Sequence, residues 1–67
     1  MDIYKMVENQ ETEKIIDILN IKKNAIYKTT YESCSLVIGL KNKMVIDVCC
    51  APENISMWYE PENPLFD

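Results

Sequence analysis

Residues 33–50 read SCSLVIGLKNKMVIDVCC, and this stretch decides the fold because it predicts a β-hairpin in a single register. A three-residue loop at 41–43 joins two segments of strand character. The cross-strand pairs on one face are then all apolar: Leu40 with Met44, Ile38 with Ile46, Leu36 with Val48, and Cys34 with Cys50. A shift of one residue would move half of these side chains to the opposite face. Closing the loop requires a left-handed conformation at Asn42 or Lys43, which Asn tolerates better.

The segment before the hairpin predicts one helix, from about Gln10 to Asn20. Asn9 is a suitable N-cap, since its side-chain oxygen can accept from free amides of the first turn. Asn20 can end the helix in the left-handed region. The apolar face of this helix comprises Ile15, Ile16 and Leu19, and Ile18 widens it.

The remaining chain predicts further strands and a short tail. Tyr, Thr and Ile are frequent in the segment from Ala25 to Tyr31, which favours a pleated surface. Ser33 to Leu40 is a second strand or a continuation of the first. Met44 to Cys50 and Ile55 to Tyr59 are the later strands, and residues 61–67 are expected to be extended.

Residues 1–8 fit either a short strand or a helical turn, and the alternation of Ile3 and Val7 with their neighbours slightly favours the strand. The elements together predict the α+β class, with one N-terminal helix packed on a three- to four-stranded antiparallel meander sheet. The length of 67 residues leaves room for one domain, residues 1–67, and for only a modest core.

Composition excludes several classes of function. Eleven Asp and Glu side chains oppose seven Lys, and the net charge is −4 with no Arg. Sequence-specific nucleic-acid binding relies on basic patches and bidentate Arg contacts, so we expect no direct nucleic-acid partner. No stretch approaches the length of a membrane span, and the N-terminus lacks the pattern of a signal peptide. We therefore expect no membrane partner and a cytoplasmic location.

Catalytic chemistry has little support in the sequence. The chain has no His and a single glycine, Gly39, which removes the commonest general base and any phosphate-binding glycine loop. We expect a protein that is not an enzyme and binds no cofactor or metal. An odd number of cysteines makes a disulfide framework unexpected. Cys34 and Cys50 are interpreted as small core residues and Cys49 as half-exposed.

Aromatic and acidic residues are the candidates for partner binding. Tyr27 and Tyr31 are predicted to share one face of a strand, and Trp58 to lie opposite Met57 and Tyr59. Such side chains form either part of the core or an apolar patch for a partner or a second copy. The predicted partner-binding residues are Tyr27, Tyr31, Trp58, Tyr59, Glu11, Glu13, Asp17, Glu60 and Glu62.

These features predict a non-enzymatic acidic protein-binding module. It has the character of a small phage or mobile-element inhibitor of a host nucleic-acid-handling or defence enzyme. The acids would then imitate phosphates before a basic protein surface, although they also serve ordinary solubility. The alternatives are a homo-oligomer that holds a small ligand at its interface, and a small subunit of a larger assembly. A homo-oligomer is expected in any case, because a short chain without a metal gains stability from association.

The tail contains one short resemblance. Residues 62–66, Glu-Asn-Pro-Leu-Phe, resemble the short peptides ending in Leu-Phe that dock into bacterial sliding clamps, with Glu where Gln is usual. The other interpretation of these residues is a tail that folds back and packs Leu65 and Phe66 on the core, and we prefer it.

Overall fold

The computed structural model of the chain describes residues 2–49 and 55–67. Two short helices precede a four-stranded antiparallel sheet in which neighbours in sequence are neighbours in space. The elements are α1 (Ile3–Glu8), α2 (Thr12–Ile18), a 3-10 turn (Lys23–Ala25), β1 (Ile26–Glu32), β2 (Ser35–Leu40), β3 (Met44–Cys49), β4 (Ile55–Tyr59) and a second 3-10 turn (Pro64–Phe66). The predicted α+β class, with its helical part N-terminal to a meander sheet, is confirmed.

The hairpin of β2 and β3 has the predicted register. Leu36 pairs with Val48 and Ile38 with Ile46. Lys43, at φ 72°, takes the left-handed conformation in the loop rather than the favoured Asn42. The Asn42 side chain instead accepts a hydrogen bond from the Met44 amide at 3.1 Å, and this bond within the loop stabilises the turn. The predicted pairing of Cys34 with Cys50 lies outside the described residues.

The first residues form a helix, and the slight preference for a strand was wrong. Asp2 caps α1 by accepting from the amides of Tyr4 at 3.1 Å and Lys5 at 3.4 Å. This local cap, together with burial of Val7 against the sheet, outweighs the weak alternation of residues 1–8. Two helices therefore stand where one was predicted.

The second helix begins later than predicted. Asn9 is the C-cap of α1 and does not cap α2, which starts at Thr12 after Glu11, whose side chain makes no capping bond. The reversal between the helices places Gln10 at φ 55°. Asn20, at φ 58°, adopts the predicted left-handed conformation after α2.

The two faces of the sheet are covered by different parts of the chain. The helices cover one face, and the core between them and the sheet contains Val7, Ile15, Ile16, Leu36, Ile38, Ile46 and Val48. The C-terminal turn covers part of the opposite face. There Leu65 is buried beside Gly39, which has no side chain to obstruct it. The folded-back tail is thus confirmed, although it forms a 3-10 turn and is not fully extended.

Candidate binding surface beside the edge strand

Strand β4 exposes most of the large apolar surface of the described residues. All five of its residues are exposed. The exposed fractions are 46% for Ile55, 61% for Met57, 37% for Trp58 and 65% for Tyr59. Large apolar side chains that lie next to one another on a surface, rather than singly, are typical of interaction sites.

The register explains why β4 is left uncovered on the helix side. Met57 pairs with Ile46, and Ile55 pairs with Val48, so both side chains lie on the face that the helices cover elsewhere. The helices have only six and seven residues. A helix of this length spans about 10 Å, which is less than the width of four strands at about 4.8 Å each. The uncovered end of the sheet is the β4 end.

An open apolar groove of about 430 Å³ runs between β4 and the segment after α2. Its walls come chiefly from Leu19, Ile21 and Ala25 on one side and from Ile46, Ile55 and Met57 on the other. Lys22 is the one charged side chain in this lining. The volume and the apolar lining match those of sites that take a small molecule or a side chain of a partner protein.

The opposite face of β4 carries a small polar network. The Trp58 indole Nε1 donates to Glu60 Oε1 at 2.6 Å, and Asn63 Nδ2 donates to the same oxygen at 3.1 Å. These two hydrogen bonds, that of Trp58 first, lower the pKa of Glu60 below its ordinary value of 4.5. Trp58 and Glu60 were both predicted to bind a partner, and the structure brings them together. Their spacing of two residues along the chain was the signal for this contact.

The two strand tyrosines lie on opposite faces of the sheet, so the prediction of a shared face was wrong. Tyr31 is half-buried on the helix side, where its hydroxyl is 2.7 Å from the Thr12 hydroxyl. Tyr27 lies on the other side, with its ring centroid 5.7 Å from that of Phe66. The β1–β2 register shifts between Ile26 and Lys28, and this irregularity removes the simple alternation. Tyr31 is largely a core residue, whereas Tyr27 remains 49% exposed.

The acids of α2 are partly neutralised by lysines. Glu11 lies 3.0 Å from Lys14, and Glu13 lies 2.5 Å from Lys23. The pKa of Lys23 is raised above its ordinary value of 10.5, chiefly by its hydrogen bond with Glu13. Asp17 is exposed on the same helix. These acids therefore do not form a purely negative row along α2, and the exposed Glu62 lies apart from them, after β4.

Cys34 differs from the prediction, whereas Cys49 is half-exposed as predicted. Cys34 is exposed and disulfide-bonded. The interpretation of Cys34 as a core thiol was wrong, and so was the expectation against a disulfide. A signal was present in the sequence, since the predicted register sets Cys34 opposite a second cysteine. The interpretation of Cys50 lies outside the described residues.

Within residues 2–49 and 55–67, no group of three or more His, Cys, Asp or Glu side chains is placed to hold a metal ion. No helix of this described part is long and apolar enough to cross a membrane. Comparison of the chain with protein-family models, with curated proteins and with solved structures finds no match.

Proposed function

We propose that this chain is a non-enzymatic protein-binding module that takes an apolar side chain of a larger partner protein into the groove beside β4. The observation that carries the proposal is the uncovered apolar end of the sheet, where Ile55 and Met57 lie exposed above Ile46. A net charge of −4 favours a partner with a basic surface, because opposite fields steer the encounter of two proteins. Apolar contact in the groove then supplies the binding free energy.

The finer proposal names the kind of partner. A small acidic module of this type would act as a phage or mobile-element inhibitor of a host enzyme that handles nucleic acid or defends the cell. Its support is the charge balance of eleven acids against seven lysines. The ion pairs of Glu11 and Glu13 reduce the charge that α2 can present, so the groove supports the proposal better than the acids do.

A substitution that fills the groove tests the proposal and leaves the residues of β4 unchanged. In Ala25→Leu the larger side chain occupies groove volume, because Ala25 lines the groove and is only half-buried. Tagged native chain and Ala25→Leu are used to capture proteins from a host lysate, followed by mass spectrometry. The matched control is Ile18→Leu, an exposed apolar position on α2 outside this groove.

We expect a discrete partner that is captured by the native chain and by Ile18→Leu and is depleted at least tenfold with Ala25→Leu. Equal recovery with all three chains would place the binding surface elsewhere. Recovery of only the chain itself would favour the second candidate, a homo-oligomer that holds a small ligand. The observation in favour of that candidate is Lys22 in an otherwise apolar lining, which suits a ligand with an aliphatic body and a carboxylate.

A further inference from the structure

The sheet has two outer edges of different character, formed by β1 and β4. Edge strands expose unpaired amides and carbonyls, and proteins usually protect them with charges, prolines or bulges. Strand β1 has such protection, since its register shifts between Ile26 and Lys28 and it carries the exposed charges of Lys28 and Glu32. Strand β4 has the sequence ISMWY over 55–59, with no charge, no proline and a regular register.

The direction of the free backbone groups of β4 follows from one hydrogen bond. The Glu60 amide donates to the Lys43 carbonyl at 3.0 Å, towards β3. Backbone groups of successive strand residues alternate in direction, so those of Trp58 and Ser56 also face β3. The amides and carbonyls of Ile55, Met57 and Tyr59 therefore face the outer edge. Within the described residues no strand pairs with this edge.

We propose that β4 pairs antiparallel with β4 of a second copy, in a register centred on Met57, to form a continuous eight-stranded sheet. In this register Met57 meets Met57 of the partner copy across the two-fold axis, and Ile55 meets Tyr59. All the outward-facing amides and carbonyls of the strand then find partners. Any shift along the strand leaves at least one residue of 55, 57 and 59 without its pair.

The chemistry of the strand suits a second copy as occupant. At an interface with two-fold symmetry, a residue on the axis contacts the same residue of the other copy. A charge near the axis would therefore lie close to a like charge. The five residues of β4 carry none, despite a net charge of −4 on the chain. The Ile55–Tyr59 pair is of the β-branched and aromatic type that stabilises neighbouring strands.

The area available predicts a weak and reversible dimer. Trp58 and Tyr59 are 37% and 65% exposed, and aromatic side chains carry on the order of 150–250 Å² each. With Ile55 and Met57 the edge offers several hundred Å² per copy, below the roughly 800 Å² of a standard interface. The dimer is expected to dissociate in the micromolar range. The dimer shares Ile55 and Met57 with the groove but does not contact Leu19 and Ala25, so Met57 variants test the pairing and Ala25→Leu tests the proposed function separately.

Charge substitution at Met57 tests the register directly. The two Met57 Cα atoms would lie roughly 5.5 Å apart in a hydrogen-bonded pair. Met57→Lys and Met57→Glu should each fold, because the position is 61% exposed, and circular dichroism checks this. Each variant alone sets like charges face to face and should be monomeric, whereas an equimolar mixture sets Lys against Glu and should dimerise. The control is Ile18→Lys, which adds a charge at an exposed position of α2.

Sedimentation equilibrium measures the result. We expect the average mass of the native chain and of Ile18→Lys to rise from the 7.8 kDa of one chain towards twice that value as the concentration increases through the micromolar range. We expect each Met57 variant alone to remain at 7.8 kDa and the mixture to recover the dimer. A native chain that is monomeric throughout this range would overturn the proposal. A dimer that persists in Met57→Lys alone and in Met57→Glu alone, or a mixture of the two that stays monomeric, would overturn the pairing through Met57. Neither result would change the expectation that Ala25→Leu loses groove binding.

Discussion

At the residue scale, small polar groups decide where the chain turns and what remains exposed. The Glu60 carboxylate connects Trp58 on the strand with Asn63 at the start of the tail. Asn63 in turn accepts from the Leu65 amide at 2.9 Å, so one chain of bonds links β4 to the turn that covers the sheet. Glu60 is thus a structural residue as well as an acid near the candidate binding surface.

The pH dependence of this network is predicted from the direction of the Glu60 shift. Hydrogen bonds to the ionised carboxylate hold its folded-state pKa below the ordinary value of 4.5. The stabilisation is therefore present above pH 4.5 and is lost as the pH falls through the lower folded-state pKa. In an NMR titration the Trp58 indole proton should shift with a midpoint below 4.5. The shift should vanish in Glu60→Gln, and a midpoint at or above 4.5 would contradict the assignment.

Cys34, predicted to be a core thiol, is instead exposed and disulfide-bonded. Its disulfide is of a kind found mainly in oxidising compartments, because cytosolic thiols are kept reduced. The cytoplasmic location stays a prediction, and this bond is the observation against it.

At the element scale, the short C-terminal turn acts as a cover for the far side of the sheet. A Cβ atom at Gly39 would lie 2.5 Å from a Leu65 methyl carbon and 3.0 Å from a Phe66 ring carbon. The absence of a side chain at this point of β2 is therefore what allows the tail to pack so closely. Lys43 lies over the Phe66 ring at 4.8 Å and adds to the contact.

A double-mutant cycle tests this packing. Gly39→Ala should cost about 1–3 kcal/mol of unfolding free energy, because Leu65 must move out of its site. In a Leu65→Ala background the same change should cost less, because only the close contact with the Phe66 ring remains and alanine is favoured over glycine in a strand by about 0.5–1 kcal/mol. Urea denaturation of the four chains gives the coupling. Additive effects would show that the tail does not pack on Gly39.

At the scale of the whole molecule, a small core stabilises one sheet with the helices packed on one face and the C-terminal turn on the other. A chain of this length draws only about 3–5 kcal/mol of net stability from its core. Ile15 is fully buried at the centre of the helix side, whereas Ile18, one turn further along α2, is 43% exposed. The same helix thus offers two positions, one buried and one exposed, for testing how small the net stability of the chain is.

Truncation of these two isoleucines should give very different results. Ile15→Ala leaves a cavity in the core and is expected to cost about 2–5 kcal/mol, which approaches the total stability of the chain. Ile18→Ala should change the free energy of unfolding by about 0.5 kcal/mol or less. Thermal unfolding followed by circular dichroism measures both. Similar melting temperatures for the two variants would show that α2 does not present Ile15 to the sheet.

The sequence by itself determined the class of the fold, the bounds of β4 and the register of the central hairpin. The pattern in 33–50 has only one register in which Leu36 pairs with Val48 and Ile38 with Ile46 on one apolar face, and burying that face is the largest favourable term available to the chain. Ile15 and Ile16 could be assigned to the core for the same reason.

Only the tertiary structure decided what is exposed. The helical state of residues 3–8 depends on a cap at Asp2 and on contact with the sheet, and the separation of Tyr27 from Tyr31 depends on an irregularity in β1. The candidate surface arises because two helices of six and seven residues are too short to reach β4. A hydrophobic pattern shows which side chains can be buried, but how much of a sheet is covered depends on the lengths and positions of all the elements together.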